Sequence, residues 1–369
     1  IPSAPWNEER TLGGWLSSDA SGPFLLADKH PRHYVKALKV VLDDGSVSWF
    51  ESTSQGSEPT KEKVSRAEIV QERFSFFLED PKDELLSATS TLPYPHGNYN
   101  LRETIKSKNK DLHQVFLGAE GTLGIILAAK IKLVEKHANP QWGLYCFNTL
   151  QESMEASHYA LQHSPELCDI LEHRFFSLAK AGDNLCAEWI HPNTNAVLLL
   201  CFSGANQNIS LNAFDKSISE AGIIPIRTYH CLDAQTPSPW RLREVALKAL
   251  ARVKGPETFH QFIDDLVLPR ENLGAFLEQL TTVLKEHEST AVYAICPGTG
   301  QVQLRVLGTP QKSKESARLW SLADKVYGLV QDFGGALSCQ EALGLSRLPW
   351  QAKLSAGILP SLQKIKDLF

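Results

Sequence analysis

Hydrophobic and polar positions follow two different periods in the part of the chain after residue 136. Patterns that predict strands occur at residues 142–147, 196–203, 291–296 and 301–307. Amphipathic helical periodicity appears at residues 151–163, 211–221, 271–287 and 315–332. Strands that alternate with amphipathic helices and are joined by hairpin-like turns predict an α+β domain, with helices on one face of an antiparallel sheet.

The residues before this region have a different character. Residues 11–50 predict a glycine loop followed by two strands, with Asp43, Asp44 and Gly45 as the hairpin turn between them. Residues 51–97 begin rich in Ser, Gly, Pro and Thr and then become charged and helix-prone, which indicates an insertion that a partner could order. Residues 111–134 pass from a polar helical start through a glycine-rich turn into an alternating apolar strand.

A chain of 369 residues exceeds the size at which one core keeps growing, so two domains are the default expectation. We place the first domain at residues 1–135 and the second at residues 136–350. Residues 351–369 are predicted to form a C-terminal helical segment.

Composition excludes some classes of function. The formal net charge is −5, with 43% hydrophobic and 21% charged residues, and this balance argues against a nucleic-acid-binding surface. The longest apolar runs are far shorter than the roughly 20 residues that cross a bilayer, so no transmembrane segment is expected. The polar, proline-rich start does not have the pattern of a signal peptide.

The seven cysteines are scattered and contain no C-x-x-C pair. This spacing argues against an iron–sulfur cluster or a zinc ribbon within the chain. An odd number of cysteines without a disulfide framework predicts reduced thiols in a cytoplasmic protein, peripheral to a membrane at most through a partner.

The most informative run is Gly118–Gly124, which places three glycines and the Thr122 hydroxyl within seven residues. Glycine lets backbone approach a ligand closely and adopt positive φ at little cost. From spacing alone, a ligand-contacting loop and an ordinary tight turn after a helix are about equally supported.

Residues 118–126 resemble the "GSEGTLGIIT" signature of FAD-linked oxidases of the vanillyl-alcohol oxidase type, in the branch of D-lactate, glycolate and D-2-hydroxyglutarate dehydrogenases. Thr11–Gly22 resembles the family's "TIGGMVATNASG" loop, and residues 33–45 resemble "RDYVLGLEVVLADG". Asn98–Leu101 is similar to "GYNL". These segments occur in the family's order.

The resemblance implies FAD as the cofactor, and a fold made of the second half of a PCMH-type FAD-binding domain followed by an α+β cap domain with an antiparallel sheet. It also implies that the chain is an internal segment that lacks an N-terminal pyrophosphate-loop subdomain. The residues it implies for flavin contact are Gly13, Gly14, Ser17, Ser18, Gly118, Glu120, Gly121, Thr122, Gly124 and Ile126.

Residues 240–244 resemble the "LWRIRE" motif of the family's cap, in which an arginine points toward the substrate carboxylate. By position that arginine is Arg243, with Arg241 as the alternative. Arginine suits the task because its planar fork binds a carboxylate through two hydrogen bonds. The competing interpretation is a surface helix with solvated ion pairs.

Relatives that oxidise D-2-hydroxy acids often carry "GHxGDGNxH", whose two histidines bind a divalent metal. Here Cys296 and Gln303 occupy those positions, so no metal site is expected. The histidine of "SGEHGIG" is replaced by Glu341, a candidate general base if burial raises its pKa. His96, His113, His173 and His260 match no motif.

The resemblance therefore predicts an FAD-dependent dehydrogenase that acts on a small 2-hydroxy acid or a related small-molecule substrate. A hydride would pass to flavin N5, and electrons would continue to an iron–sulfur domain or subunit or to a quinone. The alternative is a non-catalytic flavin-binding subunit, or an electron relay or scaffold, of a multi-subunit dehydrogenase.

Overall fold

A computed structural model describes residues 10–51, 64–79, 85, 92, 98–107, 111–134, 140–203, 207–233, 235–253 and 257–369. Most of the predicted insertion, as well as His96, lies outside these residues. The chain divides into two compact units: a first unit, Ile1–Pro23, Lys29–Val134 and Ser338–Phe369, and a second unit, Phe24–Asp28 and Glu135–Leu337. Residues 338–350, which the sequence assigns to the second domain, thus group with the first unit.

The strands of the described residues are β1 Val35–Val41, β2 Val47–Glu51, β3 Ile125–Ile131, β4 Gln141–Phe147, β5 Leu167–Glu172, β6 Ala196–Phe202, β7 Arg227–Cys231, β8 Thr258–His260, β9 Leu266–Val267, β10 Ala291–Cys296 and β11 Gln301–Gly308. The α-helices are α1 Leu12–Ser18, α2 Leu25–Asp28, α3 Arg66–Phe77, α4 Leu101–Lys106, α5 His113–Phe116, α6 Leu150–Gln162, α7 His173–Gly182, α8 Asn184–Trp189, α9 Gln207–Glu220, α10 Arg241–Ala251, α11 Leu273–Glu286, α12 Ser313–Asp332, α13 Gly344–Leu354 and α14 Leu359–Leu368. Short 3₁₀ turns lie at Pro31–His33, Asn98–Asn100 and Arg270–Asn272.

The first unit contains a three-stranded antiparallel sheet in the order β2-β1-β3. Val41 pairs with Val47 across the turn, and Gly45 takes a φ of 79° there. This pairing confirms the predicted hairpin. Glycine suits the turn because it adopts the left-handed conformation there at little cost.

The predicted C-terminal helical segment forms α13 and α14, whose last residues enter the core of the first unit. Ile365 and Phe369 are buried in the same cluster as Phe74 and Phe116. The Phe369 ring meets the Phe116 ring edge to face, with 5.2 Å between centroids. The end of the chain thus completes a core begun by its first hundred residues.

The predicted glycine loop after Thr11 is wrong in one respect, because residues 12–18 form the helix α1. Thr11 caps this helix by accepting a hydrogen bond from the Gly14 amide at 3.1 Å. The cap satisfies an amide that has no partner within the helix, and this offsets the low helix propensity of two successive glycines.

The second unit contains a sheet in the order β7-β4-β6-β5-β10-β11-β8, with β9 also paired to β11, and all recorded pairs are antiparallel. The four predicted strands and four predicted helices of this region are confirmed within a few residues at their ends.

Helices cover both faces of this sheet, so the prediction of helices on one face only is wrong. Every position of β4, β5 and β6 is buried. Tyr145 meets Phe214 of α9 on one face, with 5.0 Å between ring centroids. Leu144 and Cys146 point to the other face and cluster with Phe175 of α7. Continuous apolar runs such as AVLLLCF reflect this burial on both faces.

Candidate functional site

Two of the family-like segments lie side by side in the first unit. The Glu120 amide donates to the Ser17 carbonyl oxygen at 2.8 Å, and the Gly118 amide donates to the Leu16 carbonyl at 3.3 Å. The end of α1 is therefore joined by backbone hydrogen bonds to the glycine-rich turn after α5. Segments separated by a hundred residues in sequence form one continuous backbone surface.

The turn has the backbone conformation that its glycines permit. Gly118 and Gly121 have φ values of 77° and 76°, and Glu120 between them has a φ of 52°. No atom lies within 4 Å of the position that a Cβ of Gly121 would take. The turn therefore presents exposed backbone that a ligand can approach closely.

Other glycines of these segments serve packing. A Cβ on Gly124 would lie 2.6 Å from a methyl carbon of Val40 and 2.8 Å from the Val41 carbonyl oxygen. A Cβ on Gly13 would come within 3.3 Å of the Ile126 carbonyl oxygen. Gly124 and Gly13 thus let the turn and α1 pack closely against the sheet. These two glycines have a structural role, which was one of the two interpretations that spacing alone allowed for this kind of segment.

The polar side chains of the turn bind the protein itself. The Glu120 carboxylate accepts a hydrogen bond from the Gly344 amide at 3.1 Å. The Thr122 hydroxyl donates to the Ala119 carbonyl oxygen at 2.6 Å. The surface offered to a ligand is therefore mainly backbone, although Glu120, Gly121 and Thr122 are exposed.

In α1, the Ser18 hydroxyl donates to the Trp15 carbonyl oxygen at 3.0 Å, and Ser17 is half-buried. The hydroxyl of Ser21, in the same family-like segment, is buried without a hydrogen-bond partner. The exposed glycine backbone of the turn fits a large ligand that approaches it closely, such as FAD.

The first unit also holds a buried ion pair that the motifs did not indicate. The Arg32 side chain binds the Asp19 carboxylate, and the Arg32 amide donates to Asp19 Oδ1 at 3.0 Å. Burial raises the pKa of Asp19, and Arg32 opposes this change. Arg32 also donates to the side-chain oxygen of Asn100 at 2.6 Å, so its guanidinium joins two of the family-like segments, Thr11–Gly22 and Asn98–Leu101.

In the second unit, Arg243 is buried on α10. Its Nη1 donates to Asp169 Oδ2 at 2.5 Å, and Nη2 donates to the side-chain oxygen of Gln303. The guanidinium carbon lies 5.8 Å from the Trp240 ring centroid and 5.9 Å from that of Phe175. Sequence reasoning found Arg243 but missed Asp169, because the two residues are 74 positions apart.

Arg241, the alternative arginine, is half-exposed. Its Nε donates to Asp183 Oδ2 at 2.8 Å. Arg241 therefore forms the solvated surface ion pair that the competing interpretation predicted, whereas Arg243 is buried. Residues two positions apart lie on different sides of a helix, which explains the contrast.

The residues at the two histidine positions surround this arginine. Gln303 binds it directly, and the Cys296 thiol hydrogen-bonds Asp169. Burial raises the pKa of Cys296 to about 12, so the group is a neutral thiol near pH 7. A guanidinium, a neutral thiol and an amide offer poor ligands to a divalent ion. No group of three or more His, Cys, Asp or Glu side chains suited to a metal occurs among the described residues.

Glu341, the candidate general base, lies in the first unit. Its side chain is 39% exposed, and it pairs with Arg10 at 2.9 Å. The burial on which its predicted role depends is therefore absent from this arrangement, and the role stays a prediction.

All seven cysteines lie within the described residues, where each is a buried free thiol. None of the helices in the described part of the chain has both the length and the apolar character needed to cross a membrane.

Comparison with known proteins gives distant relatives. The chain is 22% identical to D-2-hydroxyglutarate dehydrogenase of Haemophilus influenzae, with 100% of the chain and 38% of that protein covered. It is 19% identical to D-lactate dehydrogenase of Anaerostipes hadrus, with 100% of the chain and 68% of that protein covered. The first of these relatives is therefore much longer than the sequence in hand.

Among solved structures, 4-ethylphenol oxidase from Gulosibacter chungangensis superposes with a TM-score of 0.58 at 12% identity, covering 96% of this chain and 66% of that one. This likeness supports the fold. Residues 137–369 match the family model "FAD linked oxidases, C-terminal domain". Because that match spans more than half of the chain, the protein belongs to the FAD-linked oxidases, a family of FAD-dependent oxidoreductases.

Proposed function

We propose that this chain contributes the flavin-contacting turn and the substrate-binding cap of a dehydrogenase that oxidises a small 2-hydroxy acid. The observation that carries the proposal is the buried Arg243 guanidinium, held by Asp169 and Gln303 within the family's cap domain. Relatives named D-2-hydroxyglutarate dehydrogenase, D-lactate dehydrogenase and glycolate oxidase subunit agree with a hydroxy-acid substrate.

Bound FAD would supply the hydride acceptor for oxidation of the substrate. The backbone of the turn at the half-buried Gly118 and the exposed Gly121 would lie against the cofactor, where glycine permits close contact. The Glu120 carboxylate fixes that turn through the Gly344 amide. Its part is therefore to hold the backbone in position.

Arg243 would supply the positive charge that binds the substrate carboxylate. In relatives of this branch a divalent metal is expected beside the substrate, and here the residues at its histidine positions contact Arg243 and its partner Asp169. A guanidinium stays charged at every working pH and donates several hydrogen bonds. We therefore propose a cap that binds its substrate without a metal.

A second candidate is a non-catalytic flavin-binding subunit that relays electrons. The observation in its favour is that the Arg243 guanidinium is bound to the side chains of Asp169 and Gln303. A substrate carboxylate would have to compete with the Asp169 carboxylate for the guanidinium. If the substrate carboxylate cannot displace Asp169 from the guanidinium, the protein would keep its fold and its flavin contacts but would not turn over a substrate.

The experiment is dye reduction by the full-length protein with D-lactate, glycolate and D-2-hydroxyglutarate, with and without EDTA. We expect a flavin absorbance spectrum and EDTA-resistant turnover of one of these acids. The Arg243→Lys variant keeps the charge but loses the planar fork, and we expect kcat/KM to fall by about 10- to 100-fold, since hydrogen bonds to charged groups contribute about 1.5–3 kcal/mol.

Arg241→Lys is the matched control and should retain kcat/KM within about twofold, because exposed ion pairs contribute little. A flavin spectrum with no turnover of any acid would support the relay. Absence of a flavin spectrum would overturn both candidates. Replacing the dye by a quinone, or by an iron–sulfur protein encoded nearby, tests the proposed acceptor.

A further inference from the structure

The glycine-rich turn Gly118–Gly124 needs support from outside its own sequence. Gly118, Glu120 and Gly121 all have positive φ, a conformation that residues other than glycine adopt at a cost. Glycine also loses more conformational freedom on ordering than any other residue. Contacts with neighbouring segments therefore decide whether the turn keeps one conformation before a ligand binds.

The last helix of the chain supplies one of these contacts. Lys366 Nζ, on α14, donates a hydrogen bond to the Thr122 carbonyl oxygen. Both residues are exposed, and the ammonium group acts on the backbone of the turn. The motifs that mark the turn give no indication of this contact, because the two residues are 244 positions apart.

The helix that carries Lys366 is anchored in the core. Ile365 and Phe369, on either side of Lys366 in the sequence, are buried in the core cluster of the first unit. The Phe369 ring packs edge to face on Phe116, and Phe116 lies two residues before the turn begins. Lys366 therefore extends from a fixed helix to a turn that rests on the same core.

The C-terminal segment also holds the turn at a second point. The Gly344 amide, at the start of α13, donates to the Glu120 carboxylate at 3.1 Å. This contact reaches the turn through a side chain, whereas the Lys366 contact acts on a backbone carbonyl. The Lys366 contact can also be removed by a substitution that leaves every residue of the turn in place.

Thr122 is held through its side chain as well. Its hydroxyl donates to the Ala119 carbonyl oxygen at 2.6 Å and lies 3.2 Å from the Tyr99 hydroxyl. Tyr99 and Asn100 have φ values of 51° and 52°, a conformation that persists only where the surroundings fix the backbone. Thr122 is thus fixed by contacts from its own turn, from the Asn98–Leu101 segment and from α14.

We propose that Lys366 is a positioning residue for flavin binding: by holding the Thr122 carbonyl, it orders the turn before FAD binds. This inference rests on the proposed contact between the turn and the flavin. A turn that is already ordered loses less conformational freedom when the cofactor binds, so binding is tighter. Lys366 acts through the backbone of the turn and does not itself contact the cofactor.

Titration of the full-length protein with FAD, after removal of bound cofactor, measures the effect on affinity. We expect Lys366→Met to raise the Kd for FAD by about three- to tenfold, because one hydrogen bond from a charged donor is lost. Lys366→Arg keeps a charged donor and should hold the Kd within about twofold of the wild-type value. Lys364→Met is the matched control, since it removes an exposed lysine of the same helix, and it should leave the Kd unchanged.

Hydrogen exchange of the same protein without FAD shows whether the effect acts through the turn. We expect peptides that cover Gly118–Gly124 to exchange faster in Lys366→Met and at the wild-type rate in Lys364→Met. Peptides from β1 should keep their protection in both variants, because both lysines are exposed. The Leu123 amide shares a peptide group with the Thr122 carbonyl, so its ¹⁵N resonance should shift when the ammonium group is removed.

The outcomes separate this positioning role from the proposed function. Faster exchange of the turn together with weaker FAD binding supports the role. Unchanged exchange of the turn in Lys366→Met would overturn it even if the Kd rose, because Lys366 would then contact the cofactor directly. A wild-type protein that bound no FAD would overturn the proposed function and this role with it, whereas equal FAD affinity of the wild type and Lys366→Met would overturn this role alone.

Discussion

Gly300, in the second unit, shows how one residue can fix a chain crossing. It lies in the turn between β10 and β11 with a φ of 76°, and a Cβ there would be 2.0 Å from the Leu268 carbonyl oxygen. The Leu268 amide donates to the Gly300 carbonyl oxygen at 2.9 Å. Two backbone segments therefore meet at a distance that only glycine permits.

Gly300→Ala should destabilise the second unit by more than about 4 kcal/mol, because the clash is with backbone and adds to the unfavourable φ. Gly222→Ala is the matched control. Gly222 has a φ of 74° but no atom within 4 Å of the Cβ position, so only the backbone term of about 1–2 kcal/mol should apply.

Urea unfolding followed by hydrogen exchange of peptides from β10 and β11 measures both changes. Equal losses of stability in the two variants would show that the approach of Leu268 carries no cost.

The candidate site residues illustrate how much the sequence alone predicts about single residues. Arg243 could be predicted as a substrate-binding candidate because the motif that marks it lies within five consecutive residues. The structure places it on the buried side of α10. Its partner Asp169 could not be predicted, because the pairing depends on how β5 and α10 pack, and no local pattern records that contact. Glu341, the candidate general base, was also selected by its motif. Its motif does not show whether the side chain is buried, and the structure leaves it 39% exposed beside Arg10.

At the scale of elements, side-chain caps define the start of several helices, including α3 and α6. Thr149 accepts from the Glu152 amide at 3.1 Å, and the Glu152 carboxylate accepts from the Thr149 amide at 3.1 Å. This reciprocal capping box satisfies two amides at the start of α6. Ser65 and Glu68 form the same arrangement at the start of α3.

Thr149→Ala should destabilise the second unit by about 1 kcal/mol, because it removes the acceptor for the first-turn amide. Thr149→Ser keeps the hydroxyl and should cost only a few tenths of that amount. Urea midpoints of the two variants, read from exchange of peptides in α6, distinguish the outcomes. If serine and alanine lowered the midpoint equally, the cap would not be the cause.

Long periodic elements were the ones that sequence could predict. Apolar runs marked β4, β6 and β10, because burial on both faces leaves few polar interruptions. The strand β11 was marked by alternation of apolar and polar residues, and its burial alternates in the same way. The strand β5, with the sequence LCDILE, was missed because Asp169 interrupts its apolar run, and that carboxylate is buried only through its ion pair with Arg243. The helix α1 was missed because its two glycines are typical of a loop, and its capping hydrogen bond and backbone contacts outweigh that preference.

At the scale of the whole molecule, most of the second unit is one continuous stretch, Glu135–Leu337, that interrupts the sequence of the first unit; Phe24–Asp28 also belongs to the second unit. After Val134 the chain returns to the first unit at Ser338. The returning segment supplies α14 and buries Phe369 against Phe116 and Phe74. The first unit therefore depends on contacts between residues more than two hundred positions apart, which sequence periodicity cannot record.

Phe369→Ala tests this dependence. Phe369 is only 5% exposed, and truncating a buried phenylalanine to alanine typically costs about 3–5 kcal/mol, so exchange should accelerate in peptides from α3, α5 and β1. Peptides from β4, β6 and β10 should keep their protection, because each unit has its own core. Leu345→Ala, at a side chain that is 87% exposed, is the control and should change stability by no more than about 0.5 kcal/mol. Equal acceleration in both units would mean that they unfold as one cooperative body, in which case the C-terminal helix stabilises the whole chain.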